Sequence, residues 1–533
     1  MLERTWIAEV ADDSVEIVRQ KERRLERLHT TDQWKTLADL WCACWMWPTG
    51  EHSPGGTIFG SLRDQLITGR ATLAPQMAEP LLRQSQTIAR SRRFLHWPLE
   101  FPEVYFDAAG RPLGNPGFDA VLGNPPWNVL RSDSPEKAFI RGSGIYRHQG
   151  GGRVNRYQLF VERALTLLKR GGRVGLVVPS GFATDHTSAA LRRRMLDHCD
   201  IDTLAGFDNR RAIFPIHRSV RFVLFTATSG RATTSIKCRF GIDDPGVLDQ
   251  VPDEGDRAGD PVYHIVLTPA LIRRLAGEHV TIPELHTARD LAILERIIHR
   301  FPRLADNAGW NAEFGRELNA TDDKSHFRQG SSVTRGMPVL EGKHIEPFIC
   351  HPEDSTLMID ERIAARLIDP ARSFARPRLA YRDVASSTNR LSLIAAILPS
   401  GVITTHSLFC LKIPLPDDDQ HYLCGMLNSF VANYLVRQVM TTHLGSTTVE
   451  DLRVPRLSSS SEEFQEISRL ARSLSRGPAP KDAARLHAAA AWAYQLTLED
   501  FRHVLTTFPL VPEPERAAAL DAFRRRSETY GSA

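Results

Sequence analysis

The residues with the clearest chemical potential are Asn124, Pro125, Pro126 and Trp127, which close a short apolar run, Phe118-Asp119-Ala120-Val121-Leu122-Gly123. A run of that length ended by Gly, Asn and Pro predicts a buried strand of a parallel sheet. The turn then falls just beyond a strand's carboxyl end, where ligands bind in open α/β sheets. A conjugated exocyclic amine, such as that of adenine, is a poor nucleophile because its lone pair is delocalised into the ring. Two acceptors aimed at its N–H bonds favour the tetrahedral geometry and the charge that develop as it attacks a methyl group. The amide oxygen of Asn124 can be one acceptor and the main-chain carbonyl of Pro125 the other. A proline holds its carbonyl at little entropic cost because its φ is fixed. Pro126 stiffens the next peptide, and Trp127 offers a flat face for a base taken out of its stack. None of this needs a metal or a titrating base. The bland alternative is a proline turn that merely ends a strand, so the flanking elements have to decide.

Those flanks read as a βαβ unit. Tyr157, Phe160, Val161, Ala164, Leu165 and Leu168 recur at helical spacing. Lys169-Arg170-Gly171-Gly172 reads as the stop of that helix. Residues 174–179 follow as a second buried strand, which implies parallel pairing and a right-handed crossover. A helix over 189–198 and strands over 203–207 and 220–226 continue the pattern. Residues 94–104 look strand-like and proline-punctuated, with His96 as a structural residue. The stretch 131–156 is polar and Gly-rich, and is either a lid over a site or a plain unstructured segment.

Composition sets the outer bounds. At 533 residues the chain is too long for one typical core, so two or three domains are expected. Its 67 basic and 63 acidic residues leave a net charge of +4, so the total does not announce a polyanion partner. Seven scattered cysteines without a CxxC pair argue for a reducing compartment and against a zinc or disulfide framework. No stretch has the length and apolarity to cross a bilayer, and no leader-like start is read, so a cytoplasmic location is expected. Residues 1–47 and 61–93 read as helical, with Trp41, Cys42, Cys44, Trp45, Met46 and Trp47 as a buried helix end. Residues 228–260 turn Gly-, Asp-, Thr- and Pro-rich and mark a domain boundary. Residues 280–302 are helical, and 310–457 mix short strands with polar turns. Within them Arg372, Arg376, Arg378, Arg382 and Arg390 are interleaved with Phe374, Tyr381, Ser386, Ser387, Thr388 and Asn389. Arg with Ser, Thr and Asn suits phosphates and base edges, and a solvated charged face fits as well.

Residues 94–226 resemble the catalytic half of class I S-adenosylmethionine-dependent N6-adenine DNA methyltransferases, with Asn124-Pro125-Pro126-Trp127 in the place of the catalytic loop. Residues 94–104 look like the segment ahead of the catalytic strand in large methylases of type II restriction-modification and phage-defence systems. Glu341-Gly342-Lys343, the run from Tyr381 to Asn389, and Leu427-Asn428-Ser429 with Arg437 are similar to the target-recognition region of those enzymes. The resemblance runs from about residue 30 to 460. It implies an α/β fold, a partial Rossmann-like methyltransferase sheet followed by an α+β target-recognition domain and a helical C-terminal tail. The corresponding regions are 1–93 (helical), 94–230 (catalytic), 231–305 (connecting), 306–460 (target recognition) and 461–533 (tail).

The resemblance further implies methyl transfer from S-adenosylmethionine to a flipped adenine in double-stranded DNA. Asp119 and Pro125 would touch the cofactor. Lys343, Arg378, Tyr381, Arg382, Ser386, Ser387, Thr388 and Asn389 would contact DNA, with no metal and no membrane involved. One departure stands out. The family's glycine-rich turn after its first strand, and the acid after its second, have no counterpart in the sequence. That implies about half a sheet, with the catalytic strand as an unpaired edge where the middle should be. The cofactor half would then come from a separate polypeptide or an N-terminal segment. The alternative is a catalytically silent DNA-recognition subunit. A nuclease ranks behind both, because no pair of acids is followed by an acid-x-Lys triplet.

Overall fold

The computed structural model describes residues 6–530, except positions 8, 32, 49, 132–133, 151–153, 251–262, 264, 330–335, 385–388 and 441–442. The fold is mixed α/β. Its main sheet holds β1 (Phe118–Gly123), β2 (Leu168–Pro179), β3 (Cys199–Asp208), β4 (Arg221–Ser229), β5 (Ile236–Ile242) and β6 (Ile265–Leu267). Across the sheet the order is β1-β2-β4-β3-β5-β6, so β1 is an edge strand. β1 runs parallel to β2, with Val121 opposite Val174 and Gly123 opposite Leu176. The helix Arg156–Leu167 connects them, which is the expected strand-helix-strand unit. Gly117 enters β1 at a φ of +125°, where an added Cβ would lie 2.4 Å from the backbone nitrogen of Lys169. Only glycine fits that approach.

The helix Arg156–Leu167 starts from a capping box, in which Asn155 and Gln158 satisfy each other's backbone N–H groups. It does not stop at glycine as the sequence suggested. Leu168 is already extended, and Lys169-Arg170-Gly171-Gly172 form the start of β2. Leu168 is buried and pairs with Phe118, so tertiary contact overrides the helix-stop signal. Residues 94–104 are not a strand either. Pro98 and Pro102 each sit in the first turn of a short helical segment, Trp97–Glu100 and Pro102–Val104, a position that suits their fixed φ and missing N–H. His96 hydrogen-bonds Asp39 at 2.7 Å, a structural role, and Lys35 reaches the same carboxylate at 2.8 Å. The stretch 131–156 contains a helix, Glu136–Gly142.

The chain forms two compact units, one of Met1–Pro179, Thr187–Leu204 and Leu224–Ile236, the other of Ser180–His186, Ala205–Val223 and Lys237–Ala533. The first carries the N-terminal helices Val15–Thr31, Gln33–Trp45, Gly56–Thr68 and Pro75–Arg92. Trp41 and Trp45 are half-buried and pack edge-on against Phe139. In the second unit the expected helix of 280–302 is shorter, Ala288–Arg300, and starts from a capping box of Thr287 and Asp290.

The second unit also holds β7 (Phe314–Gly315), β8 (Arg328–Gln329), β9 (Gly336–Leu340), β10 (Leu357–Asp360), β11 (Arg378–Arg382), β12 (Ala395–Leu398), β13 (Ile403–Thr404) and β14 (Leu408–Leu411). They form two four-stranded sheets, ordered β13-β9-β10-β8 and β12-β11-β14-β7. Two buried helices, Asp417–Asn428 and Phe430–Arg437, support them, and the tail consists of helices Glu462–Leu474, Pro480–Ala493, Leu498–Thr506 and Glu513–Tyr530. All seven cysteines are free. Among the described residues no helix is long and apolar enough to cross a membrane, and no cluster could hold a metal ion.

Candidate active site

Asn124 follows directly on the carboxyl end of β1. It is exposed, and its side-chain amide has no hydrogen-bond partner among the described residues. Pro125 behind it is buried and Pro126 is exposed. The Trp127 indole N–H points to the carbonyl of Val177 at 3.4 Å, which ties the ring to the carboxyl half of β2. The structure therefore brings together a free amide, a stiff double proline and a tethered aromatic face at one strand end. A neutral amide and a carbonyl accept hydrogen bonds over the whole physiological pH range, so the acceptor pair needs no pKa tuning.

Asp119 lies at the other end of the strand. Five residue steps of extended chain separate it from Asn124, roughly 16 Å at strand rise. Its carboxyl forms an ion pair with Lys169, and the hydrogen bond and charge of that lysine hold it below the usual carboxylate range. The structure does not bring Asp119 to the loop.

β1 differs from the buried strand the sequence suggested. Leu122 is 82% exposed, because β1 has a neighbour on one side only. Its open side continues into a groove of about 1950 Å³ that also takes in Asn124, Pro125 and Pro126. Aromatic and aliphatic side chains of the helices Gln33–Trp45 and Arg156–Leu167 form much of the wall.

Sequence reasoning missed Glu162. It is buried on the inner face of the helix Arg156–Leu167, between Val161 and Leu165. Burial alone would raise its pKa. The main-chain N–H of Arg147 at 2.6 Å, the His148 main chain and ring, and the Gln149 amide at 2.6 Å together hold it below the ordinary value. One carboxylate thus fastens residues 147–149, which the sequence left as lid or unstructured segment. An acid within an otherwise apolar helical stripe was the available signal.

The Arg-rich stretch is organised differently from its sequence impression. Arg378 is fully buried, and its guanidinium makes two hydrogen bonds to Glu317, at 2.7 and 2.8 Å, and a third to the Val402 carbonyl. Tyr381 is also fully buried, stacked on Phe409, and burial pushes its phenol far above the usual pKa. Burial of both side chains contradicts the DNA contacts expected of Arg378 and Tyr381. Arg372 pairs with Glu313, Arg376 serves the carbonyls of Leu411 and Ile413, and Arg390 pairs with Glu515. Asn428 and Arg437 are braces too. The Asn428 amide bonds both main-chain groups of Ala395, and Arg437 donates to the carbonyls of Asn389, Arg390 and Thr507.

What remains outward is narrower. A Cβ built on Gly342 would lie 3.8 Å from the Arg382 side chain, so the exposed Lys343 is close to the end of β11. Lys343 shares its charge with Glu341 at 2.6 Å, and Arg382 donates to the Ile345 carbonyl. Asn389 is exposed, whereas Ser386, Ser387 and Thr388 lie outside the described residues.

Residues 40–214 match the Eco57I restriction-modification methylase family. The matched segment contains β1, its Asn-Pro-Pro-Trp loop and β2. The type II methyltransferase M.PstI of Providencia stuartii is 27% identical over 100 residues, which are 19% of this chain and 18% of that protein. The type II methyltransferase M.BsuBI of Bacillus subtilis is 26% identical over 97 residues, 18% of each. The matched stretch spans less than a fifth of either relative. Among solved structures, the type IIL restriction-modification enzyme MmeI in complex with DNA aligns over 77% of this chain and 57% of its own, at 11% identity and a TM-score of 0.44.

Proposed function

We propose that the chain is the catalytic and target-recognition part of a site-specific DNA adenine N6-methyltransferase of a restriction-modification or phage-defence system. The observation that carries this reading is the free Asn124 amide beside Pro125, at a strand end inside a restriction-modification methylase segment. The Asn124 oxygen and the Pro125 carbonyl accept the two N–H bonds of a flipped adenine. They favour the pyramidal, charge-developing amine of the transition state. Trp127 stacks on the base, and its bond to Val177 fixes the ring before the base arrives. Arg382, Lys343 and Asn389 are the described candidates for DNA contact, with Ser386, Ser387 and Thr388 beside them in the chain.

S-adenosylmethionine is the methyl donor this family implies. The residues beside the loop suit the acceptor amine, not the donor. Asp119 is occupied by Lys169 at the far end of β1, and no second acid stands in its place at the loop's end of the strand. On this reading the donor site is supplied by a separate polypeptide or a further segment. The same observation favours a second reading, a catalytically silent DNA-recognition subunit.

The test is mass spectrometry of DNA from cells that express the chain alone or with the product of its neighbouring reading frame. The proposal expects N6-methyladenine only in the second case. Methyladenine with the chain alone would place a donor site within it. None in either case would sink the methyltransferase reading in favour of the silent subunit.

A further inference from the structure

The open side of β1 is not explained by the chain's own packing. The groove beside it holds about 1950 Å³, well above the roughly 300–1,000 Å³ of a small-molecule pocket. Leu122 (82% exposed), Leu95 (53%), Phe160 (52%) and Trp34 (52%) all line it. Apolar surface gathered in this way marks a contact site rather than ordinary surface. An edge strand also presents a row of backbone N–H and C=O groups that another strand can pair.

Charge narrows the occupant. Five arginines line the groove against a single carboxylate, Glu136. Arg63 pairs with Asp64 and Arg92 with Glu136, while Arg93, Arg156 and Arg163 have no carboxylate in reach among the described residues. The buried Nε of Arg156 has no hydrogen-bond partner. A second copy of this chain would set arginine against arginine. Nucleic acid would match the arginines and leave the strand edge and the exposed aliphatic side chains without partners.

We infer that the groove is the docking surface of a separate polypeptide, which adds a strand to β1 and carries apolar residues interspersed with carboxylates. This rests on the reading of the chain as the catalytic part of a methyltransferase, because the occupant is then the polypeptide that holds the methyl donor. Docking on β1 sets that polypeptide beside Asn124 and Pro125, which line the same groove.

The test starts with a photo-crosslinking residue in place of Leu122 in the full chain, in the native host. The adduct is identified, and that protein is purified and added to the unmodified chain. The expected result is one dominant polypeptide adduct and slowed hydrogen exchange of the amides of residues 118–123 on its addition. Leu122→Asp, at an exposed position that leaves the fold intact, is expected to weaken the complex about tenfold or more. The double variant Arg93→Glu/Arg163→Glu is expected to do the same, and a carboxylate-to-lysine change in the partner to restore binding to it.

Adducts with a second copy or with nucleic acid, no adduct, or unchanged exchange would overturn the inference. The two readings fail separately. A partner that protects β1 in a complex that transfers no methyl group leaves the docking surface standing and removes the methyltransferase. A chain that methylates DNA unaided, with fast exchange along β1, does the reverse.

Discussion

β1 and β11 are the two strands that carry the sequence's chemical motifs, and their surroundings are opposite. β11 sits between β12 and β14, with all but its last residue buried. Its Arg378 is engaged inside the fold by Glu317, while the buried Tyr381 hydroxyl has no hydrogen-bond partner among the described residues. Glu317 in turn accepts from the main chain and the hydroxyl of Thr404, so one buried pair ties β11 to β13. β1 has a single neighbour, an outward Leu122 and, at its end, an amide with nothing to bond. The difference separates an arginine that holds a fold together from an asparagine whose amide the described fold leaves unused. Chemical promise in a motif depends on which of its groups the fold has already used.

The largest expected effect that tests this contrast is on stability. Arg378→Ala leaves the Glu317 carboxylate buried and uncompensated, a cost of about 3–5 kcal/mol. Urea unfolding of the second unit should show it, and a loss below 1 kcal/mol would mean that the pair is not the strut described. Arg382→Ala should weaken DNA binding by about 1–3 kcal/mol if the side chain reads a base. Titration by fluorescence anisotropy against cognate and scrambled duplexes distinguishes that from a phosphate contact.

A pH effect should also fall on the second unit. His487 is stacked on Phe430, and burial lowers its pKa to about 3. The unfolded chain takes up this proton below about pH 6.5 and the folded chain does not. Stability contributed by neutral His487 is therefore complete above pH 6.5 and falls as pH drops toward 3. His487→Phe should flatten that part of the acid-denaturation curve. The smallest effect is expected at Lys343, where Lys343→Ala should lower the slope of log affinity against log salt by about one, across all sequences alike.

Much of the sheet was legible in the sequence, and so was the Asn-Pro-Pro-Trp loop. The helix Ala189–His198 and the strands β3 and β4 appear where hydrophobic periodicity put them. The exposure of β1 was not legible, because an apolar run reads the same on an edge strand as on a central one. The arginine stretch misled for a related reason. The groups that occupy Arg378, Arg372 and Arg390 lie 61, 59 and 125 residues away, so local sequence shows the donors without their acceptors. The proline-rich 94–104 segment misled in the other direction, since prolines that interrupt a strand equally well open short helical turns.

We propose that methyl transfer takes place at the free amide at the end of β1. The most direct measurement compares wild-type chain and Asn124→Ala, each with the polypeptide proposed to hold the donor, for transfer of labelled methyl groups to duplex DNA and for DNA affinity. The expected result is a fall in transfer of about 10²–10³-fold, the scale of losing one transition-state hydrogen-bond partner, with affinity within about twofold. Transfer retained at the wild-type rate would contradict it.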